Sequence, residues 1–452
     1  IVDGNGGQIL NVYANSTLRI GGTNRFPTNF GSKSLATNST VEYYGANQTV
    51  AAESYGNLVL SSASGSVVKT MPASAFTIAG NLESSVTAGD LSFTAGNAID
   101  VEGNINLGTG VTYSGGSFSH TLNGNWTNNG TYNGCSSSYI FEGTNKSISG
   151  SGVNNFGNLT INGNGINMSS ATSANVCGNF GTTESGTFLH TAGGAGAITF
   201  SGASKSISGD NITFSDIIFS GSISSTSNFE VAGDFTASGS FTSTSGTIDF
   251  TGASKSLNGA GTIQFASINV AGTITTARDI AIAGNMSVTG SYSATAGTTL
   301  FNDDSELDGE VSLFNIEIDD SSLLTMGIDS ELKIAGSSTM GTGSSFNTSD
   351  NRPNTVNYNG SGAQSIGLDT FSNLILSNGN VKTATTAITI NDRFTVANAT
   401  TFDAASFTHT AYGDLVNEGT FTASTSTMTL AGDNISTITG ATTFNTLVIN
   451  KT

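Results

Sequence analysis

The residues best placed for chemistry lie between Asp303 and Glu331, where ten of the chain's 32 acidic side chains fall. Within this stretch Asp304-x-Glu306-x-Asp308-Gly309 matches the opening of a calcium loop, whose alternating oxygens wrap one hard cation. The match stops at Asn315, which stands where such a loop needs a bidentate glutamate. Calcium at Asp304, Glu306 and Asp308 is therefore one expectation and a plain acidic turn the other. No other cofactor is expected.

The three histidines share one context: Phe118-Ser-His120-Thr, Phe188-Leu-His190-Thr and Phe407-Thr-His409-Thr. Reuse of one context points to a single structural position repeated along the chain, not to a catalytic set. Lysine and arginine occur singly, so no paired cations stand ready to stabilise an enolate or oxyanion. The chain reads as a non-enzyme. Cys135 and Cys177 are 42 residues apart, a spacing open either to a disulfide or to two small buried thiols.

These residues sit on a scaffold of unusual composition. Only 10% of the 452 residues are charged, against about 25% in an ordinary soluble domain. Asn, Ser and Thr must then cover the surface, while a 36% hydrophobic fraction with 26 Phe suffices for a core. The net charge of −19 excludes binding to phosphate backbones, since Lys and Arg supply that affinity. No apolar run approaches the roughly 18 residues of a membrane helix, so membrane insertion is not expected.

The main signal is a repeat. An aromatic residue or Leu followed by x-x-apolar-x-apolar recurs as Tyr55-Gly-Asn-Leu-Val-Leu60, Phe156-Gly-Asn-Leu-Thr-Ile161, Phe214-Ser-Asp-Ile-Ile-Phe219, Phe265-Ala-Ser-Ile-Asn-Val270, Leu313-Phe-Asn-Ile-Glu-Ile318, Phe371-Ser-Asn-Leu-Ile-Leu376 and Phe444-Asn-Thr-Leu-Val-Ile449. Each is a short strand with one apolar face. Upstream strands end in glycine turns, as in Ile198 to Gly209 and Ile248 to Gly259, offset by 50 residues. A third signature, apolar-x-Gly-Asn/Asp-apolar, recurs from Ile78–Leu82 to Ile282–Met286. Its Gly-Asn pairs read as corners with positive φ.

Helical periodicity is absent. The chain is expected to be all-β, a β-solenoid of degenerate units of about 50 residues with about two coils each. The units fall near 1–62, 63–161, 162–219, 220–270, 271–318, 319–376 and 377–452, forming one continuous array over 1–452. At one strand spacing per coil this amounts to roughly 18 to 22 coils and a rod of about 90–105 Å. A tandem of small β-sandwiches is the alternative architecture. Aligned on the repeat, Asp304-Ser-Glu-Leu-Asp-Gly309 falls where Ser254-Lys-Ser-Leu-Asn-Gly259 stands, which favours an ordinary turn over a calcium loop.

The run of Tyr-x-Gly turns, Tyr/Phe-x-Asn-Leu-x-Leu strands and Gly-Asn/Asp-Phe-Thr segments resembles the repeat regions of large bacterial surface adhesins, filamentous-haemagglutinin-like β-helices and β-strand-repeat proteins among them. The resemblance implies a secreted, cell-surface solenoid with adhesive or scaffolding duty, and no catalytic residues. Solenoid arrays end in capping units, and neither terminal segment reads as one. Ile1, Val2, Ile9, Leu10 and Val12 at one end and Phe444, Leu447, Val448 and Ile449 at the other are thus expected to pair head to tail between copies. The expected function is an extracellular structural protein, the subunit of a cell-surface filament, with itself as first partner and surface glycans or neighbouring cell surfaces as further ones. A fragment of a larger adhesin, or a carbohydrate-binding or carbohydrate-cleaving β-helix, is the alternative.

Overall fold

The computed structural model describes residues 3–452; Ile1 and Val2, expected in the head-to-tail contact, lie outside the described residues. Among the described residues there are 56 strands and no helix. The strands pair in parallel and stack as a β-solenoid of about 22 turns. The chain divides into two compact units, Ile1–Gly233 and Asp234–Thr452, each built of the same kind of coil.

Period-2 patterning explains the coil. In Asn57–Ser62 the burial alternates strictly, so Leu58 and Leu60 enter the core while Asn57 and Val59 face outward. Register then stacks like on like. Val41 pairs with Leu58, Leu58 with Leu82, Leu82 with Ile105, Ile105 with Trp126, Trp126 with Ile148 and Ile148 with Met168, one inward residue per coil. In the second unit Val311, Leu332, Val356, Leu374, Phe394 and Leu415 form an equivalent column. A one-residue slip would turn a whole column to solvent, so the columns fix the register. The repeated anchors Tyr55, Phe156, Phe214, Phe265, Leu313 and Phe371 are all buried, and only Phe444 is half-buried.

Strand ladders leave the corner amides unpaired, and here the Asn of the Gly-Asn signature supplies their acceptors. Oδ1 of Asn57 accepts the backbone N–H of Asn81 (2.9 Å), Oδ1 of Asn81 that of Asn104 (2.8 Å), Oδ1 of Asn104 that of Asn125 (2.8 Å), and Oδ1 of Asn125 that of Ser147 (2.9 Å). The Nδ2 groups of Asn104 and Asn125 donate to the Oδ1 one coil below as well. The second unit repeats the device: Asp234 accepts from Ser256, Asn285 from Glu306 and Asn315 from Ser337, all at 2.8–3.0 Å.

This corrects the reading of the corner glycines. Gly80, Gly103 and Gly124 do not adopt positive φ. A side chain on Gly103 would collide with the backbone of Gly80, and one on Gly124 with that of Gly103, so glycine is there to let successive corners stack closely. Positive φ falls instead at the turn glycines Gly209 (91°) and Gly259 (92°), and at Gly309 (90°), which therefore occupies the same structural slot.

Replacing Asn104 by Ala removes the acceptor for the Asn125 amide and should destabilise the first unit by about 1–3 kcal/mol. The urea midpoint reads this directly, and an unchanged midpoint would show that the corner bond contributes nothing.

Candidate functional site

Glu306 and Asp308 of the calcium-like motif lie along a strand, and Asp304 stands just before it. Ser305–Leu313 is extended, with Glu306 and Asp308 both half-buried on its outer side. Residues two apart on an extended strand point the same way but stand about 7 Å from one another, too far to wrap one ion. Oδ1 of Asp304 accepts the N–H of Leu323 (3.0 Å), and the carboxylate of Asp308 lies over Gly327. Among the described residues no group of three or more His, Cys, Asp and Glu side chains is arranged to hold a metal.

The histidines are fully buried, and two of them form the same bracket. Nδ1 of His120 accepts the N–H of Ile99 (3.1 Å), and its Nε2–H donates to the carbonyl of Gly115 (2.7 Å). His409 repeats this with the N–H of Ile388 (3.2 Å) and the carbonyl of Ala404 (2.8 Å). One nitrogen accepting and one donating defines a neutral ring. His190, stacked in register on Met168, has no hydrogen-bond partner at either nitrogen among the described residues. Burial holds all three rings below their ordinary value of 6.5.

Two buried lysines were missed by sequence reasoning. Lys69 faces the core directly above Gln48, and Lys382 directly above Gln364. Nζ of Lys69 donates to the carbonyls of Gly45 (2.7 Å) and Ala46 (3.1 Å) and to Oε1 of Gln48 (2.7 Å). Nζ of Lys382 donates to the carbonyls of Gly360 and Gly362 and to Oε1 of Gln364 (2.6 Å). Each glutamine Oε1 also accepts a glycine N–H, from Gly45 (2.9 Å) or Gly360 (2.8 Å). Burial lowers both ammonium groups to about 8. The signal was present: Tyr43-x-Gly45-x-x-Gln48 with Val68-Lys69-Thr70, and Tyr358-x-Gly360-x-x-x-Gln364 with Val381-Lys382-Thr383.

Cys135 and Cys177 form a disulfide across two coil steps, Cα atoms 5.2 Å apart. Cys135 lies in a bulge between Gly134 and Ser138 that interrupts the register with Val153–Ile161. Gly157 stands on the intervening coil, where a side chain would collide with the carbonyl of Ser137. The bridge lies on the outer face, with Cys135 exposed.

Two further surfaces complete the picture. A shallow polar groove of about 560 Å³ is lined by Asn125, Asn145, Lys146, Asn167 and Thr191 among others. The strand Thr446–Lys451 pairs along one edge with Thr427–Gly432, and its apolar side chains are uncovered: Leu447 is 40% and Ile449 61% exposed, with Val448 exposed beside them. Of the residues expected at the opposite end, Ile9 is 63% exposed, Leu10 half-buried and Val12 buried, on a strand paired with Ser32–Leu35. No family model, curated protein or solved structure matches this chain.

The histidines set an acid limit. A ring whose folded value lies below its unfolded 6.5 contributes stability that is present above that pH and lost as pH falls through the lower folded value. The thermal midpoint should therefore drop on acidification below about pH 6.5. The drop should be shallower in His120→Asn with His409→Asn, where only the His190 ring remains to be charged; an equal slope in the double variant would show that His120 and His409 do not set the acid limit.

Proposed function

We propose that this chain is an extracellular structural protein, a cell-surface solenoid whose copies join head to tail by parallel edge pairing into a fibre with a scaffolding or adhesive role. One observation carries the reading. Strand Thr446–Lys451 pairs with Thr427–Gly432 along one edge and, among the described residues, leaves the other edge and the inward-register side chains Leu447 and Ile449 uncovered, a surface that a further parallel strand, of this chain or of another copy, would cover. A strand added there continues the ladder, and a heterologous contact of this kind propagates without closing.

The surface disulfide supports an oxidising compartment, where such bonds persist. The amide- and hydroxyl-rich outer face fits a solvated scaffold carrying only 10% charged residues. The resemblance to surface-adhesin repeats points the same way. A second reading, glycan binding, rests on the groove lined by Asn125, Asn145 and Asn167, whose amides can both donate to and accept from sugar hydroxyls.

Electron microscopy of the purified chain tests the first reading. Filaments are expected, and they should be lost in the double substitution Leu447→Asp with Ile449→Asp while circular dichroism stays β-rich. Isolated particles at high protein concentration would overturn the self-assembly, as would filaments that persist in the double variant.

A further inference from the structure

Lysine is almost never fully buried without an anionic partner, yet Lys69 and Lys382 are 0% exposed and neither is ion-paired among the described residues. Each occupies the inward position one coil above an inward, buried glutamine. The pairing is specific within the chain. Three residues after Gly202 and Gly252, where Gln48 follows Gly45, the chain carries Lys205 and Lys255 in place of glutamine, and the residue in register above is Ile223 or Ile274. The buried amine is present where the carboxamide is present, and an aliphatic side chain stands there otherwise.

We propose that Lys69–Gln48 and Lys382–Gln364 are sites of intramolecular isopeptide bond formation, each tying two consecutive coils together covalently. In this step lysine Nζ bonds to glutamine Cδ and the Cδ–Nε2 bond breaks. Of the three ammonium protons one remains on the new amide nitrogen and two leave with Nε2 as ammonium, so atoms and charge balance and no oxidant or cofactor is consumed.

The surroundings suit this transfer. Nζ already donates to Oε1, at 2.7 Å for Lys69 and 2.6 Å for Lys382, so loss of that proton turns the nitrogen lone pair toward the carboxamide. The glycine N–H groups of Gly45 and Gly360 also bind Oε1, where negative charge develops as the carbon becomes tetrahedral. The carboxamide plane is held by its Nε2, which donates to the carbonyl of Ile20 (2.8 Å) in the first site and to those of Ile334 and Gly336 (both 2.8 Å) in the second. Burial excludes the water that would compete as nucleophile and favours the free amine, consistent with the lowered value of about 8 at both lysines.

Intact mass spectrometry of the folded full chain tests the proposal. The expected mass is that of the disulfide-bonded sequence less one ammonia per bond, two in all, with proteolysis releasing branched peptides that join Gln48 to Lys69 and Gln364 to Lys382. Lys69→Met and Lys382→Met should each restore one ammonia. A mass equal to that of the disulfide-bonded sequence overturns the proposal. An ammonia deficit that survives both substitutions overturns it too, since that marks cyclisation at Asn-Gly pairs. Peptide mapping of the unsubstituted chain decides the matter alone should a variant fail to fold.

Discussion

The bond from a corner amide to the asparagine or aspartate oxygen one coil below is the interaction on which the rest of this fold depends. Within a parallel sheet each strand satisfies its neighbour, but at a corner the chain changes direction and the ladder breaks. An amide left unpaired against the coil beneath costs about 1–3 kcal/mol, and a solenoid repeats that cost at every turn. Oδ1 of Asn57, Asn81, Asn104 and Asn125 removes it at successive corners. The same device accounts for two residues of the acidic stretch, because Asp304 accepts from Leu323 and Asp320 from Thr342. An aspartate serves as acceptor as well as an asparagine does, but only the amide can also donate downward and make the ladder continuous, as Asn104 and Asn125 do.

Stacked corners impose stacked cores. Once consecutive coils are held in register, the inward residue at each position sees the same residue class above and below, so apolar columns assemble without any long-range code. Aromatic residues exploit this: Trp126 packs edge-on against Tyr132 and Tyr139 from neighbouring coils, with ring centroids 4.9 and 5.2 Å apart. Four of the ionisable residues that enter the core do so where backbone groups offer partners. His120 and His409 each clamp one amide and one carbonyl, and Lys69 and Lys382 each meet two carbonyls and a carboxamide. His190 lacks such partners among the described residues, and a buried polar group without a hydrogen bond works against stability.

The architecture was legible because a solenoid writes its period into the chain. The Tyr55, Phe156 and Phe371 motifs each predicted a strand, and the strands Asn57–Ser62, Val153–Ile161 and Thr370–Leu376 stand there. The shared Phe-x-His-Thr context read as one structural position for all three histidines; His120 and His409 form the same bracket, and His190 does not. The Gly-Asn corner was located correctly and explained wrongly, since φ preference is a local property whereas the close approach of Gly103 to Gly80 exists only between coils. The Gln–Lys pairs escaped notice for the same reason. Gln48 and Lys69 are 21 residues apart, and only the stack brings the amine onto the amide; along the sequence the lysine stands singly. The disulfide stayed open until a bulge at Cys135, invisible in composition, brought it to Cys177.

The internal repeats also say what the fold does and does not require. Both Gln–Lys columns continue upward into phenylalanine, Lys69 into Phe93 and Lys382 into Phe402, so the buried amine sits between ordinary core neighbours. In the coils of Lys205 and Lys255 that amine's place is taken by Ile223 and Ile274, and the coil closes with the same strand pairing. A coil that closes with isoleucine at this position does not need a desolvated ammonium to fold, and burying one without a carboxylate works against stability. The two sites that keep the amine do so together with the glutamine beneath it and the glycine amide that polarises that glutamine. The joint presence of amine and carboxamide fits a function of the pair itself, and a covalent tie uses both the amine as nucleophile and the carboxamide as the group it attacks.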